Sequence, residues 1–194
     1  MSAERWVIGL DLGQSRDPTA IAVVQKTDSI PWQGELFRVG HLERLPLGTP
    51  YPGVVHHVDR LLARLPKDTE LVIDATGVGK PVFEMFLGGG ISPRGVMITG
   101  GTTETREGNI SNVPKLILIS RVQALLHEGR LKIQKELPEA ETLVRELQDF
   151  RVEYSALGHM TFNARSGKHD DLVLALAIAC WRAHGGGGGV FGFA

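Results

Sequence analysis

The sequence predicts a mixed α/β sheet with helices on both faces, and three observations carry that reading. Strand-like runs crowd the N-terminal quarter, and helical and extended patterns alternate after it. Two short apolar runs, Trp6-Val7-Ile8-Gly9-Leu10 and Leu71-Val72-Ile73, each stop on an aspartate. In open α/β sheets, sites form where strands end.

Taken in order, residues 5–12 read as a buried strand and 19–25 as a second, joined by the turn-rich Leu12-Gly13-Gln14-Ser15-Arg16-Asp17-Pro18. Residues 35–43 add a third strand and complete an antiparallel meander. Val54, Val55, Val58, Leu61 and Leu62 predict a helix over 52–65. Residues 70–74 form a short central strand, and Pro81 suits the first turn of a helix that Gly88-Gly89-Gly90 stops. Gly95-Val96-Met97-Ile98 reads as another strand. Residues 100–113 are polar and without periodicity, so a long loop is expected there. Pro114 opens a helix with Leu116, Ile117, Ile119, Val122, Leu125 and Leu126 at helical spacing, and Gly129 ends it. Residues 131–133 are extended, and Pro138 starts a helix striped by Leu143, Leu147 and Phe150. Short strands are expected at 152–154 and 160–162, then a last helix over 170–184. The reading is one domain over 1–184 and a flexible glycine-rich tail over 185–194.

The chain of 194 residues, 42% hydrophobic, is long enough for one real core. Its apolar runs fall short of the ~20 residues of a bilayer span, so no membrane association is expected. The N-terminal residues lead straight into a strand, so no secretory signal is expected. The single cysteine, Cys180, lies in an apolar run; it allows no internal disulfide and reads as a small buried hydrophobe. A net charge of -1 gives no support for a strong non-specific DNA binder, although acids gathered at a metal would leave the bases to another face.

The candidate chemistry lies in four aspartates. Asp11 and Asp74 end strands, and Asp170 and Asp171 open the most apolar helix. A fold joining those strand ends to that helix start would make a cluster that repels itself until a cation neutralises it. Hard divalent ions take oxygen ligands, so Mg2+ or Mn2+ is the natural partner, and metal-assisted chemistry on a phosphate follows. Each acid also has a plainer explanation. Asp11 could be a turn former, Asp74 a turn or cap, and one of Asp170 and Asp171 a helix cap. Asp17, before a proline, is a turn acid or an outer ligand. Lys168 could neutralise phosphate charge or be a solvated loop lysine; His169 could orient water or phosphate, or cap the helix. Arg106, in the expected loop, and Lys115, just after it, are candidate DNA contacts. A nucleotide-binding P-loop is excluded at Gly79-Lys80, because Asp74 stands where its first glycine belongs and Pro81 where its Ser or Thr belongs. No zinc pattern and no Ser-His-Asp grouping is present.

These stretches together resemble the nuclease domain of phage large terminases, a branch of the RNase H-like nucleases. The matching residues are Ile8-Gly9-Leu10-Asp11 through Asp17-Pro18-Thr19-Ala20, and Val72-Ile73-Asp74-Ala75-Thr76-Gly77-Val78-Gly79. They continue with Asn112-Val113-Pro114-Lys115, Gly129-Arg130-Leu131, Glu146-Leu147, and Gly167-Lys168-His169-Asp170-Asp171 with its apolar helix. The resemblance implies an RNase H-like fold and a metal-dependent endonuclease that cuts concatemeric double-stranded viral DNA for genome packaging. It implies Asp11, Asp74 and Asp171 as the main ligands of two Mg2+ or Mn2+ ions, with Asp170 beside them. It further implies double-stranded DNA, a terminase ATPase motor, a small terminase subunit and a portal as partners, in the cytoplasm of an infected or prophage-carrying bacterium. Two other readings stay open: a Holliday-junction resolvase with the same metal chemistry, and a non-enzymatic DNA-packaging adaptor. A sugar-kinase or actin-like ATPase shares Asp11-Leu12-Gly13-Gln14-Ser15 but needs a second lobe, for which this chain is too short.

Overall fold

The structure, a computed structural model, describes residues 4–13, 17–30, 34–77, 79–154, 160–164 and 170–187. Strands β1 (Arg5–Asp11), β2 (Ala20–Ile30) and β3 (Gly34–Arg44) form the expected antiparallel meander. Helix α1 (Tyr51–Leu62) leads to β4 (Glu70–Asp74), which returns parallel to β1 with Val7 opposite Glu70 and Leu10 opposite Ile73. Then come α2 (Gly79–Gly88), β5 (Arg94–Thr99), β6 (Thr105–Glu107), β7 (Ile110–Pro114), α3 (Lys115–His127), β8 (Leu131–Ile133) and α4 (Ala140–Asp149). A hairpin of β9 (Phe150–Tyr154) and β10 (Met160–Ala164) precedes α5 (Asp171–Ala183). The main sheet has the order β6-β7-β5-β4-β1-β2-β3-β8, with β1, β4, β5 and β7 mutually parallel. It is the mixed, helix-flanked sheet that the sequence predicts.

Residues 100–113 correct the expectation of a structureless loop. They contain β6 and β7, and β7 pairs along β5 from Gly95↔Ile110 to Thr99↔Pro114. Burial of Ser111 and Val113 against the sheet outweighs a weak local strand preference. The expected glycine-rich tail is described only at its start. Gly185, Gly186 and Gly187 form a turn: Arg182 donates to the Gly186 carbonyl at 2.6 Å, and the Gly187 N–H donates to Glu104 at 3.2 Å. The rest of the expected tail lies outside the described residues.

Strand periodicity sorts the core into two halves. Ile8, Leu10, Ile21, Val23, Leu71 and Ile73 face α1 and α2, where Val54, Val58, Val82 and Phe86 meet them. Val7, Ala20, Ala22, Val24 and Val72 face the other way, toward α3, α4 and α5. Every residue of α5 is buried, which explains why its sequence is apolar on all sides. Cys180 is part of this packing; burial pushes its thiol up to about 12, so it is an inert hydrophobe as expected. No helix among the described residues is long and apolar enough to cross a membrane.

Helix α5 lies across β1 at Gly9. A Cβ built there would stand 2.0 Å from the Ala175 carbonyl oxygen and 3.0 Å from the Ala179 Cβ. Only glycine permits this approach, and it sets both ends of the helix against the sheet. At the C-terminal end, Arg182 donates to Glu70 at 2.8 and 2.6 Å, and Arg5 and Arg94 reach the same carboxylate. Alternation places Arg5, Gly9 and Asp11 of β1, and Glu70, Val72 and Asp74 of β4, on this one face. The sheet face under α5 is therefore a clasp of arginines at one end and aspartates at the other.

Burial raises the Glu70 carboxyl, but the Arg5 and Arg182 hydrogen bonds win and hold it below its ordinary 4.5. A depressed folded value means stability that is present above the unfolded value and lost as pH falls through the folded one. Glu70→Gln should lower the melting temperature at about pH 7, and the gap to the parent should narrow as pH falls to about 3. A gap that stays constant in thermal melts across that range would contradict the clasp.

Candidate functional site

Helix α5, β1 and β4 converge at the end opposite the clasp. Asp11 is the last residue of β1 and Asp74 the last of β4, on adjacent parallel strands and the same face. Asp170 precedes α5 and Asp171 is its first residue. Asp171 is only 6% exposed. Burial raises the Asp11 carboxyl well above its ordinary value, and the charges of Asp74, Asp171 and Asp170 raise it further; Lys115 opposes them. All four sequence-predicted acids thus share one electrostatic neighbourhood.

The geometry also tests the plainer explanations. Asp170 stands at the N-cap position of α5, yet its side chain makes no capping bond. Its carboxylate instead accepts from the Lys115 ammonium at 2.8 Å. Asp74 does double service. One oxygen accepts the Thr76 N–H at 2.8 Å, which closes the turn after β4. Burial raises its carboxyl overall, against the Thr76 hydrogen bonds and Lys115. That turn is tight: a Cβ on Gly79 would stand 2.0 Å from the Asp74 carbonyl oxygen. Thr76 is held in turn by the Ile98 N–H, which donates to its hydroxyl at 3.0 Å.

The cap that Asp170 does not provide comes from Glu146 of α4. Its carboxylate accepts the Leu172 and Val173 N–H groups at 3.0 and 3.1 Å, two of the orphan donors of the first turn of α5. Arg44 of β3 lies 3.5 Å from its other oxygen. Burial and the nearby Asp171 charge push the Glu146 carboxyl up to about 7. Sequence reasoning gave Glu146 no role. The signal was present, because Glu146 falls on the apolar stripe of Leu143, Leu147 and Phe150, where a charged residue is out of place.

Other candidates land elsewhere. Asp17 is exposed, near the start of β2. Arg106, expected to contact DNA, sits on β6 and donates to the Gly108 and Gly187 carbonyls. It ties the sheet edge to the turn after α5, about 20 Å of helix away from Asp171. It stands there because residues 105–114 form an edge hairpin. Lys115, also expected to contact DNA, is paired with Asp170 in the acid cluster. Lys168 and His169 lie outside the described residues.

The donor set is made of hard carboxylate oxygens whose mutual repulsion calls for a cation, which fits Mg2+ or Mn2+. Among the described residues, no three His, Cys, Asp or Glu side chains are gathered closely enough to hold an ion as they stand.

Comparison with known proteins agrees with this architecture. No family model matches the chain. It is 23% identical over 184 residues to the large terminase subunit of Thermus phage G20c, covering 90% of this chain and 31% of that protein. The chain therefore spans about a third of that relative. It shares its fold with the large terminase nuclease of phage G20c with bound magnesium, at a TM-score of 0.64 and 23% identity over 91% of this chain and 80% of that one. The large terminase nuclease domain of bacteriophage SPP1 with bound manganese gives a TM-score of 0.58 at 12% identity, covering 92% and 86%. The fold is thus RNase H-like, that of the large-terminase nuclease domains, as the sequence resemblance implies.

Glu146→Ala should strand the Leu172 and Val173 N–H groups and cost about 1–2 kcal/mol. That corresponds to a fall in melting temperature of roughly 2–8 °C for a chain of this size. Glu146→Gln, which keeps an acceptor, should recover most of it. Equal losses in the two variants would show that the cap is not what Glu146 supplies.

Proposed function

We propose that this chain is a divalent-metal-dependent endonuclease domain of the large-terminase type, cutting double-stranded DNA during viral genome packaging. The observation that carries the reading is the convergence of Asp11, Asp74, Asp170 and Asp171 at one end of β1, β4 and α5. The magnesium- and manganese-bound structures of similar fold support the choice of ion.

Asp11, Asp74 and Asp171 would hold the metal, two ions in this reading, with Asp170 completing the set. When bound, the ions supply charge neutralisation, activation of a water and stabilisation of a leaving oxygen in phosphodiester hydrolysis. The protein's own part is to preorganise the acids. Gly9 lets α5 descend onto β1, Glu146 caps α5 so that Asp170 and Asp171 need not, and Thr76 fixes the Asp74 carboxylate. Such preorganisation is what places charge where the transition state needs it. DNA would be held mainly through its backbone, since packaging cuts need little base readout. The length of the G20c relative beyond the matched part fits an accompanying ATPase motor, and a small terminase subunit and portal are the further partners proposed.

Purified protein incubated with supercoiled plasmid and Mg2+ or Mn2+ should nick and linearise it, and EDTA should abolish this. Asp11→Asn should lose at least about 100-fold of the activity while staying folded, since one ligand charge is gone but the side-chain size is kept. Full metal-dependent cutting by Asp11→Asn would reject the site; preference for four-way junctions over linear duplex would favour a resolvase.

A further inference from the structure

Lys115 is badly placed for a helical residue. It is the first residue of α3, where the helix dipole is positive, and the first turn of α3 holds no acid to balance it. Position alone would disfavour a cation there. The compensation lies across the fold: its ammonium is 2.8 Å from Asp170, and its charge acts on Asp11 and Asp74 as well. The pair is only partly exposed, at 25% for Lys115 and 22% for Asp170, so solvent screens it incompletely. The positive end of α3 points its lysine at the same acids.

We propose that Lys115 is a built-in countercation of the metal-free site, holding Asp170 until a divalent ion takes its place. The inference rests on the metal-site reading above and adds a competition to it. A cation drawn to the four acids meets an ammonium already drawn to them. With a divalent ion bound, Asp170 would serve as a ligand, and the repelled Lys115 ammonium would stand near enough to meet an anionic phosphate. Lys115 is thus a positioning residue that sets the metal concentration at which the site forms.

The test is Mn2+ alone, titrated at neutral pH and low salt into the parent protein, Lys115→Met, Lys115→Arg and Asp11→Asn. Free Mn2+ is read by electron paramagnetic resonance, and melting temperature is followed in parallel. Removing one close positive charge should lower the midpoint of Mn2+ binding in Lys115→Met by about ten-fold. The metal-free form of that variant should melt lower than the parent, and Lys115→Arg should bind as the parent does. Lys115→Gln serves as the second neutral variant if the Met variant fails to fold by circular dichroism. Parent binding with an unchanged or higher midpoint in the neutral variants overturns this inference alone. No Mn2+ binding by the parent, with Asp11→Asn indistinguishable from it, overturns the metal-site reading beneath it.

Discussion

The approach of α5 to β1 at Gly9 is the constraint on which the rest of the structure depends. Helices usually rest on a sheet at the distance their side chains impose, and here the distance is set by a missing side chain. The helix sits low enough to be buried along its whole length. It also brings backbone and side-chain groups at both of its ends within reach of strands whose residues alternate on the same face. Arg182 at one end finds Glu70; Asp171 at the other comes beside Asp11 and Asp74. Two polar assemblies of opposite sign are thus built from the same three elements. The dipole of α5 suits each, with acids at its N-terminus and an arginine in its last turn.

Burial of like charges is costly unless the surroundings answer it. At the arginine end the answer is complete within the protein, since three guanidinium groups surround one carboxylate. At the aspartate end it is partial. Among the described residues the Lys115 ammonium faces Asp11, Asp74 and Asp170, and the Asp11 carboxyl remains well above its ordinary value. A site left electrostatically unsettled in this way is common where chemistry is done, because a ligand supplies the missing charge. The net charge of -1 hides this polarity, since the arginine-rich and aspartate-rich assemblies lie at opposite ends of α5.

Much of this was legible in the sequence. The unbroken apolar runs identified β1 and β4, their terminal aspartates marked the candidate site, and the all-round apolar character of 172–181 marked the buried helix. What was not legible depended on tertiary contacts. Strand β7 exists because β5 offers it an edge, not because residues 110–114 favour extension on their own. Arg106 and Lys115 were expected in a similar role, yet a hairpin carried one to the far end of α5 and a helix start carried the other into the acids. Glu146 and Asp170 exchanged the parts that local rules assign: the N-cap residue leaves the cap to a glutamate 24 residues earlier in the chain, by the difference of their numbers. No local pattern encodes that exchange, although a charged residue on the stripe of α4 and a lysine at the start of α3 were both departures from it.

The central claim is that the aspartate end of α5 is a divalent-metal centre. The most direct measurement is anomalous diffraction at the manganese edge from crystals of the unmodified protein grown with Mn2+. The account predicts anomalous density bounded by Asp11, Asp74 and Asp171, with the Lys115 ammonium withdrawn from Asp170. Well-ordered density for these four side chains with no anomalous peak among them, and Lys115 still on Asp170 at saturating manganese, would contradict it.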